Sequence, residues 1–354
     1  MNLDFTSDNA TGASPEIMKA IVAANDGTAP AYGADEWSRR AEQALAQVFE
    51  REIAVFLVAT GTAANALAIS ALVQPWGAAL CHGFAHVAAD ECGAPEFFAG
   101  GAKLASVAGA AGKITPQTLA DTLELMPRGI VKQAQPMALS LAQATECGSA
   151  YSLAEIAALS DMAHAAALGV HMDGARFANA LVTLGCSPAD MSWRAGVDVL
   201  SFGATKNGAL ACEAVIFFDP AKAEDFAYRR KRGGHTLSKG RLLGCQMLAY
   251  LEDGRWLRTA AHANLMAARL EAGLRGLAGV RLPWAREANE VFAIVPRAAH
   301  DRLQKEGARY HVWTPRALER EARPNAGEVF VRLISSFATQ PAAIDRFVAV
   351  AGGG

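Results

Sequence analysis

An α/β architecture, with a largely parallel sheet covered on both faces, is what the amino-acid sequence predicts, and two observations predict it. Through about Cys245, strand-length apolar runs alternate with helical patterns, and helix-start signals fall between them. Several of those runs are continuously apolar, not alternating, as expected of strands buried on both faces. Beyond Cys245 the pattern changes to a long helix followed by short strands among further helix, which predicts a smaller C-terminal domain.

In chain order, a short N-terminal arm precedes Ser14-Pro15-Glu16, a helix start with proline in the first turn. Residues 53–58 form an apolar run of strand length, and 62–73 read as an Ala- and Leu-rich helix. Thr115-Pro116-Gln117 caps another helix, and Ser152 with Glu155 forms a capping box. Residues 136–141, 168–172, 197–202 and 214–218 are further strand candidates, with 291–295 and 329–334 in the smaller domain. Gly352-Gly353-Gly354 reads as a frayed end.

The 354 residues suffice for a large core and two domains, and 52% hydrophobic with 19% charged residues suits a well-buried α/β protein. A net charge of −2 argues against a nucleic-acid binder. Asp4 and Asp8 interrupt the first residues, so no secretory signal is expected. Six scattered cysteines without a C-x-x-C pair point to reduced thiols in a cytoplasm, and away from disulfides or a zinc site. Residues 53–89 lack charge altogether, but Gly61-Thr62, Asn65, Gln74-Pro75 and His82-Gly83 leave no apolar segment of about 20 residues, so the chain reads as soluble, with no membrane span.

The chemistry is concentrated in two stretches. His171-Met172-Asp173-Gly174-Ala175-Arg176-Phe177 places a carboxylate at a strand end, and Ser201-Phe202-Gly203-Ala204-Thr205-Lys206-Asn207-Gly208 places a lysine at the end of a later run. Pyridoxal phosphate requires such a pair: an acid for the pyridinium nitrogen and an amine for the aldehyde. Singly, Asp173 also fits a helix N-cap and Lys206 a loop lysine; together, in this order, they favour the cofactor. Thr60-Gly61-Thr62 follows a strand and opens a helix, where free amides, the helix dipole and a hydroxyl suit a phosphate dianion. Arg332 interrupts an apolar strand and needs an anionic partner, either a substrate carboxylate or a structural acid. In a helix, His86 and Asp90 share a face at i, i+4, a histidine–carboxylate arrangement suited to a base near neutral pH. Gly109 to Lys113 resembles a P-loop only superficially, because the spacing is short and Ile114 replaces the hydroxyl residue.

His-Met-Asp-Gly-Ala-Arg-Phe-x-Asn-Ala followed by Ser-Phe-Gly-x-Thr-Lys-Asn-Gly resembles the L-threonine aldolases, which are fold-type I pyridoxal phosphate enzymes. The resemblance runs from Thr6-Ser7-Asp8-Asn9 to the Arg332 strand. It implies an aspartate-aminotransferase-like fold: arm 1–15, a large domain 16–245 on a mostly parallel seven-stranded sheet, and a small α/β domain 246–354. It also implies a cofactor site of Gly61, Thr62, His86, Asp173, Arg176 and Lys206, with His86 stacked on the ring. Ser7, Tyr32, Asp90, Arg176, Lys231 and Arg332 would contact the amino-acid substrate, Arg176 and Arg332 through its carboxylate and Lys231 from a dimer interface. A dimer-based homo-oligomer, a tetramer, with shared active sites follows from the same resemblance.

Two departures bear on specificity. Glu146 stands where many relatives have a second active-site histidine, and Asp90 where many have an aromatic residue. The implied activity is retro-aldol cleavage of L-threonine, L-allo-threonine and related β-hydroxy amino acids to glycine and an aldehyde, with Lys206, His86, Asp173 and Glu146 as the catalytic groups. A phenylserine aldolase, an aminotransferase of the same fold, and a non-catalytic cofactor-binding relative are the alternatives.

Overall fold

A computed structural model describes residues 2–354. The main sheet contains seven strands: β1 (Ala54–Val58), β2 (Gly77–His82), β3 (Lys103–Val107), β4 (Gln135–Ala142), β5 (Gly169–Gly174), β6 (Val199–Gly203) and β7 (Glu213–Phe217). Their spatial order is β1-β7-β6-β5-β4-β2-β3. Pairs among β3, β2, β4, β5 and β6 are parallel, and β7 runs antiparallel to both β6 and β1. The reversal follows from chain length: the segment joining β6 to β7 is too short for a crossover and permits only an antiparallel return. The fold class is the one the sequence predicts.

Local signals act as read. Ser14 caps the helix Pro15–Ala24, and Ser152 with Glu155 completes a capping box on Leu153–Ala165. The helix after β1 spans Gly61–Leu72, starting one residue before the expected Thr62, because the Thr60 hydroxyl accepts from the Ala63 amide at 3.1 Å. The Gly109 to Lys113 stretch is a small hairpin whose Lys113 pairs with Glu155.

The first core lies between the sheet and its helices. Phe202 packs against Phe49, Phe177, Tyr250 and Trp256, with centroid separations of 5.5–6.1 Å. Tyr250 belongs to the helix Arg241–Leu251 and Trp256 to Arg255–Arg275, so the expected boundary at 245/246 cuts through a helix of the first core. The change of core falls inside Arg255–Arg275: Trp256 and Ala260 pack in the first, Met266, Leu270 and Leu274 in the second. The second core rests on β8 (Glu290–Pro296), β9 (His311–Val312) and β10 (Glu328–Ile334), an antiparallel sheet ordered β8-β10-β9. The N-terminal arm joins it: Leu3 and Phe5 are buried there, the Phe5 amide donates to Arg309 O at 2.8 Å, and the Ile334 amide to Phe5 O at 2.9 Å. Among the described residues no helix is long and apolar enough to cross a membrane, and all six cysteines are unpaired.

Candidate active site

Parallel strands bring their carboxyl ends to one edge, where ligands of open α/β sheets bind. Asp173 is the penultimate residue of β5, and Lys206 lies on the turn Thr205–Asn207 that follows β6. They line one cavity of about 460 Å³ together with Thr60, Gly61, Thr62, Asn65, His86, Glu146 and Glu213. Asp173 is not a helix cap: the following helix, Phe177–Leu184, opens at Arg176 without a side-chain cap. The Asp173 carboxylate is buried and accepts from the Ala175 amide at 3.0 Å and from Asn65 Nδ2 at 2.9 Å. The Gly61–Leu72 helix points its first turn at the cavity, and with Ala63 N–H already taken by Thr60, the amides of Gly61 and Thr62 remain for an anion. Two glycines keep β5 and β6 in register beneath these groups. A Cβ on Gly203 would stand 2.6 Å from Ala175 O, and one on Gly174 would stand 2.8 Å from Ser201 O.

An adjoining cavity of about 270 Å³ shares Asn9, His86, Glu146 and Lys206 with the first and adds Ser7, Asp90, Arg176, His311, Trp313 and Arg332. Arg332 faces His311 across the β10–β9 pair, and its guanidinium lies over the Trp313 ring at 4.0 Å. Its Nε has no hydrogen-bond partner among the described residues. Ser7 Oγ accepts from the Asn9 amide.

The structure corrects one expectation and bears on two others. His86 does not pair with Asp90. The helix there is only His86–Ala89, Asp90 has left it (φ −126°, ψ 12°), and the buried Glu91 comes round instead, its Oε1 2.8 Å from His86 Nδ1. This contact raises the His86 pKa above the ordinary imidazole value against the opposing effect of burial. Burial in turn pushes Glu91 up.

Arg176 lines the second cavity, but Asp8 of the arm already holds one edge of its fork, at 2.9 Å from Nε and 3.2 Å from the other nitrogen. Glu290 lies 3.4 Å away. Burial opposes the guanidinium charge, and Asp8, Glu290 and Glu146 more than offset it. Arg176 is therefore a buried ion pair in this structure, with only its remaining edge open to a ligand.

Tyr32 and Lys231 line neither cavity. They lie together on another surface, the Lys231 ammonium 4.7 Å from the Tyr32 ring centroid, with Tyr32 itself 56% exposed.

Glu146 lines both cavities beside His86 and Lys206, and burial raises its pKa above the usual carboxylate range. Asp90 is exposed at the rim of the second cavity. Three site residues escape a reading of the sequence: Asn65, Glu91 and Glu213. Asn65 hides in an Ala-rich helix. Glu213 opens β7, its carboxylate accepts from the Ala204 amide at 3.0 Å under the lysine turn, and burial pushes its pKa up to about 7.

An acid at the end of β5, a lysine after β6 and a phosphate-suited helix start share one cavity at the carboxyl edge of a mostly parallel seven-stranded sheet, the architecture of the fold-type I enzymes. Residues 4–298 match the family described as beta-eliminating lyase. The chain belongs to that family. It is 43% identical over 309 residues to the low specificity L-threonine aldolase of Pseudomonas sp. (strain NCIMB 10558), covering 87% of this chain and 89% of the relative. The low specificity L-threonine aldolase of Pseudomonas aeruginosa is 44% identical over the same shares. Among solved structures, Leishmania major threonine aldolase superposes with a TM-score of 0.90 at 27% identity, covering 98% of both chains.

Proposed function

We propose that this protein is a pyridoxal phosphate-dependent aldolase that cleaves L-threonine, L-allo-threonine and related β-hydroxy amino acids to glycine and an aldehyde. One observation carries the reading: Asp173, Lys206, His86 and the Gly61–Thr62 helix start line a single cavity in a chain 43% identical to a low specificity L-threonine aldolase. The residues fit the cofactor by donor chemistry, since the cavity offers an amine, two free amides with a hydroxyl for a phosphate, and a buried carboxylate for a ring nitrogen. When bound, the cofactor supplies the electron sink that makes Cα–Cβ cleavage possible.

The chain's own residues do the rest. Lys206 would anchor the cofactor aldehyde, Asp173 would supply the carboxylate for its ring nitrogen, and Gly61 with Thr62 would hold its phosphate. Arg332, with its free Nε beside Trp313, takes the substrate carboxylate, and Ser7 lines the same cavity. The open edge of Arg176 adds positive charge behind it. His86 and Glu146, the two titratable groups common to both cavities besides Lys206, receive the β-hydroxyl proton. Asp90 leaves the wall around the β-substituent polar and open, so several aldehydes are accepted; a missing methylene contact discriminates by only about 1–3 kcal/mol. Tyr32 and Lys231 complete the site of a neighbouring subunit in a dimer-based tetramer. The six unpaired cysteines suit a cytoplasmic setting.

The test is turnover on a panel of β-hydroxy amino acids, detecting glycine and aldehyde together. Cleavage of both threonine and phenylserine is expected, with Lys206→Ala inactive and without a borohydride-reducible adduct. Absence of glycine from every substrate rejects the function.

A further inference from the structure

Asn65 sits in the first turns of the Gly61–Leu72 helix, buried, with its amide nitrogen between two carboxylates. Nδ2 lies 2.8 Å from Glu91 Oε1 and 2.9 Å from Asp173 Oδ2. An amide nitrogen has two hydrogens, and here each serves one acid. The same Glu91 Oε1 meets His86 Nδ1 at 2.8 Å. Asp173, Asn65, Glu91 and His86 thus form one unbroken chain, from the acid beneath the cofactor nitrogen to the ring expected above it. Asn65 Oδ1 and Glu91 Oε2 are buried and have no partner among the described residues, so the cluster is held by donors given to anions and by nothing else.

We propose that Asn65 and Glu91 are positioning residues that fix the orientation and charge of His86 and tie both to Asp173. The inference rests on the reading that His86 and Asp173 serve one cofactor. Three physical arguments carry it. A neutral double donor is the one kind of group that satisfies two buried carboxylates without adding a charge of its own. With Nδ1 committed to Glu91, the Nε2 of His86 is the nitrogen left for the cavity, which fixes its tautomer or its proton. Finally, Glu91 is the strongest influence holding a proton on His86. The other groups that act on His86 are Glu146 and Asp173, which favour the charged ring, and Lys206, which opposes it. Asp90, Arg176 and Arg332 complete the charged lining of the adjoining cavity.

If Asn65 is removed, Glu91 and Asp173 face each other without a shared donor. Burial and like charge then drive Glu91 to take up a proton, and His86 loses its anion. The two substitutions should therefore act on one quantity, the titration midpoint of His86.

The experiment follows the His86 Cε1–H signal by NMR in the full-length holoenzyme labelled with [13Cε1]histidine, assigned through its loss in His86→Gln. Glu91→Gln, nearly isosteric, is expected to lower the midpoint by about one pH unit or more. Asn65→Ala is expected to lower it as well, and the double variant no further than Glu91→Gln alone. Asn65→Ser replaces Asn65→Ala if the latter does not fold. The acidic limb of the kcat pH profile should move with the midpoint while KM stays within about twofold. A midpoint unchanged in Glu91→Gln overturns the proposal, as do additive shifts in the double variant, since residues that merely fill space would alter stability and leave the titration alone. The titration needs no substrate: shifted midpoints without threonine cleavage sink the aldolase reading alone, and cleavage with unmoved midpoints sinks this one alone.

Discussion

His171 offers a measurable link between a single buried ring and acid stability. It lies fully buried on β5, with Nδ1 2.9 Å from Ser140 Oγ on β4 and Nε2 2.9 Å from Ser201 Oγ on β6. Both nitrogens are satisfied by hydroxyls, an arrangement that suits a neutral imidazole. Burial pushes its pKa down to about 4 from an ordinary 6.5, against the pull of Asp173. Between those values the unfolded chain binds a proton that the folded chain refuses. The stability contributed is thus complete above pH 6.5 and lost as pH falls toward 4. A gap of about 2.5 units corresponds to roughly 3.4 kcal/mol, of which about 2.5 is gone at pH 4.5. The assay is urea unfolding of wild type and His171→Gln at pH 7.5, 6.0, 5.0 and 4.5. Wild type should lead at pH 7.5 through its two cross-strand hydrogen bonds, by about 1–3 kcal/mol. That lead should shrink by about 2.5 kcal/mol at pH 4.5, or even reverse. A difference constant to within about 0.5 kcal/mol across the series refutes the reasoning.

Asp8→Asn should destabilise the fold by about 2–3 kcal/mol in urea unfolding, below the usual cost of breaking a buried pair because Glu290 still answers part of the Arg176 charge; a loss under about 1 kcal/mol means the pair is dispensable. Gly203→Ala should push apart the ends of β5 and β6, lowering stability by about 1–3 kcal/mol and kcat by more than about tenfold, because the added carbon meets Ala175 backbone. Normal kinetics in that variant would show that the strand ends yield without moving Lys206. Glu146→Gln should lower kcat on the order of 10²-fold on both threonine and phenylserine with KM changed little, and equal kinetics would place Glu146 outside the reaction.

The sequence discloses most about groups whose neighbours in space are neighbours in chain. Asp173 and Lys206 are strand-end residues inside extended motifs, and the Thr60 to Thr62 turn follows its own strand, so motif and periodicity suffice for all three. The direction of β7 was not legible, because an apolar run carries no arrow; only the length of its connection fixes it. The His86 partner lies one residue beyond the one that helical spacing predicts, because the segment leaves the helix at Asp90 and reaches left-handed geometry at Cys92 (φ 52°). Asp8 lies 168 residues from Arg176, and Asn65 lies 108 from Asp173; no local pattern announces such pairs.

The seam between the N-terminal arm and the second core also sets an order of events in the cell. Asp4 is translated 305 residues before its ion-pair partner Arg309, and Phe5 earlier still than the Ile334 amide that donates to it. At about 5–20 residues per second, these earliest residues wait roughly 15–60 s for the partners that cover them. During that interval Leu3 and Phe5, buried in the finished protein, have no core to enter. Once Arg309 and Ile334 emerge, the first segment made is stitched to among the last, and the buried Asp8 of the same arm closes on Arg176.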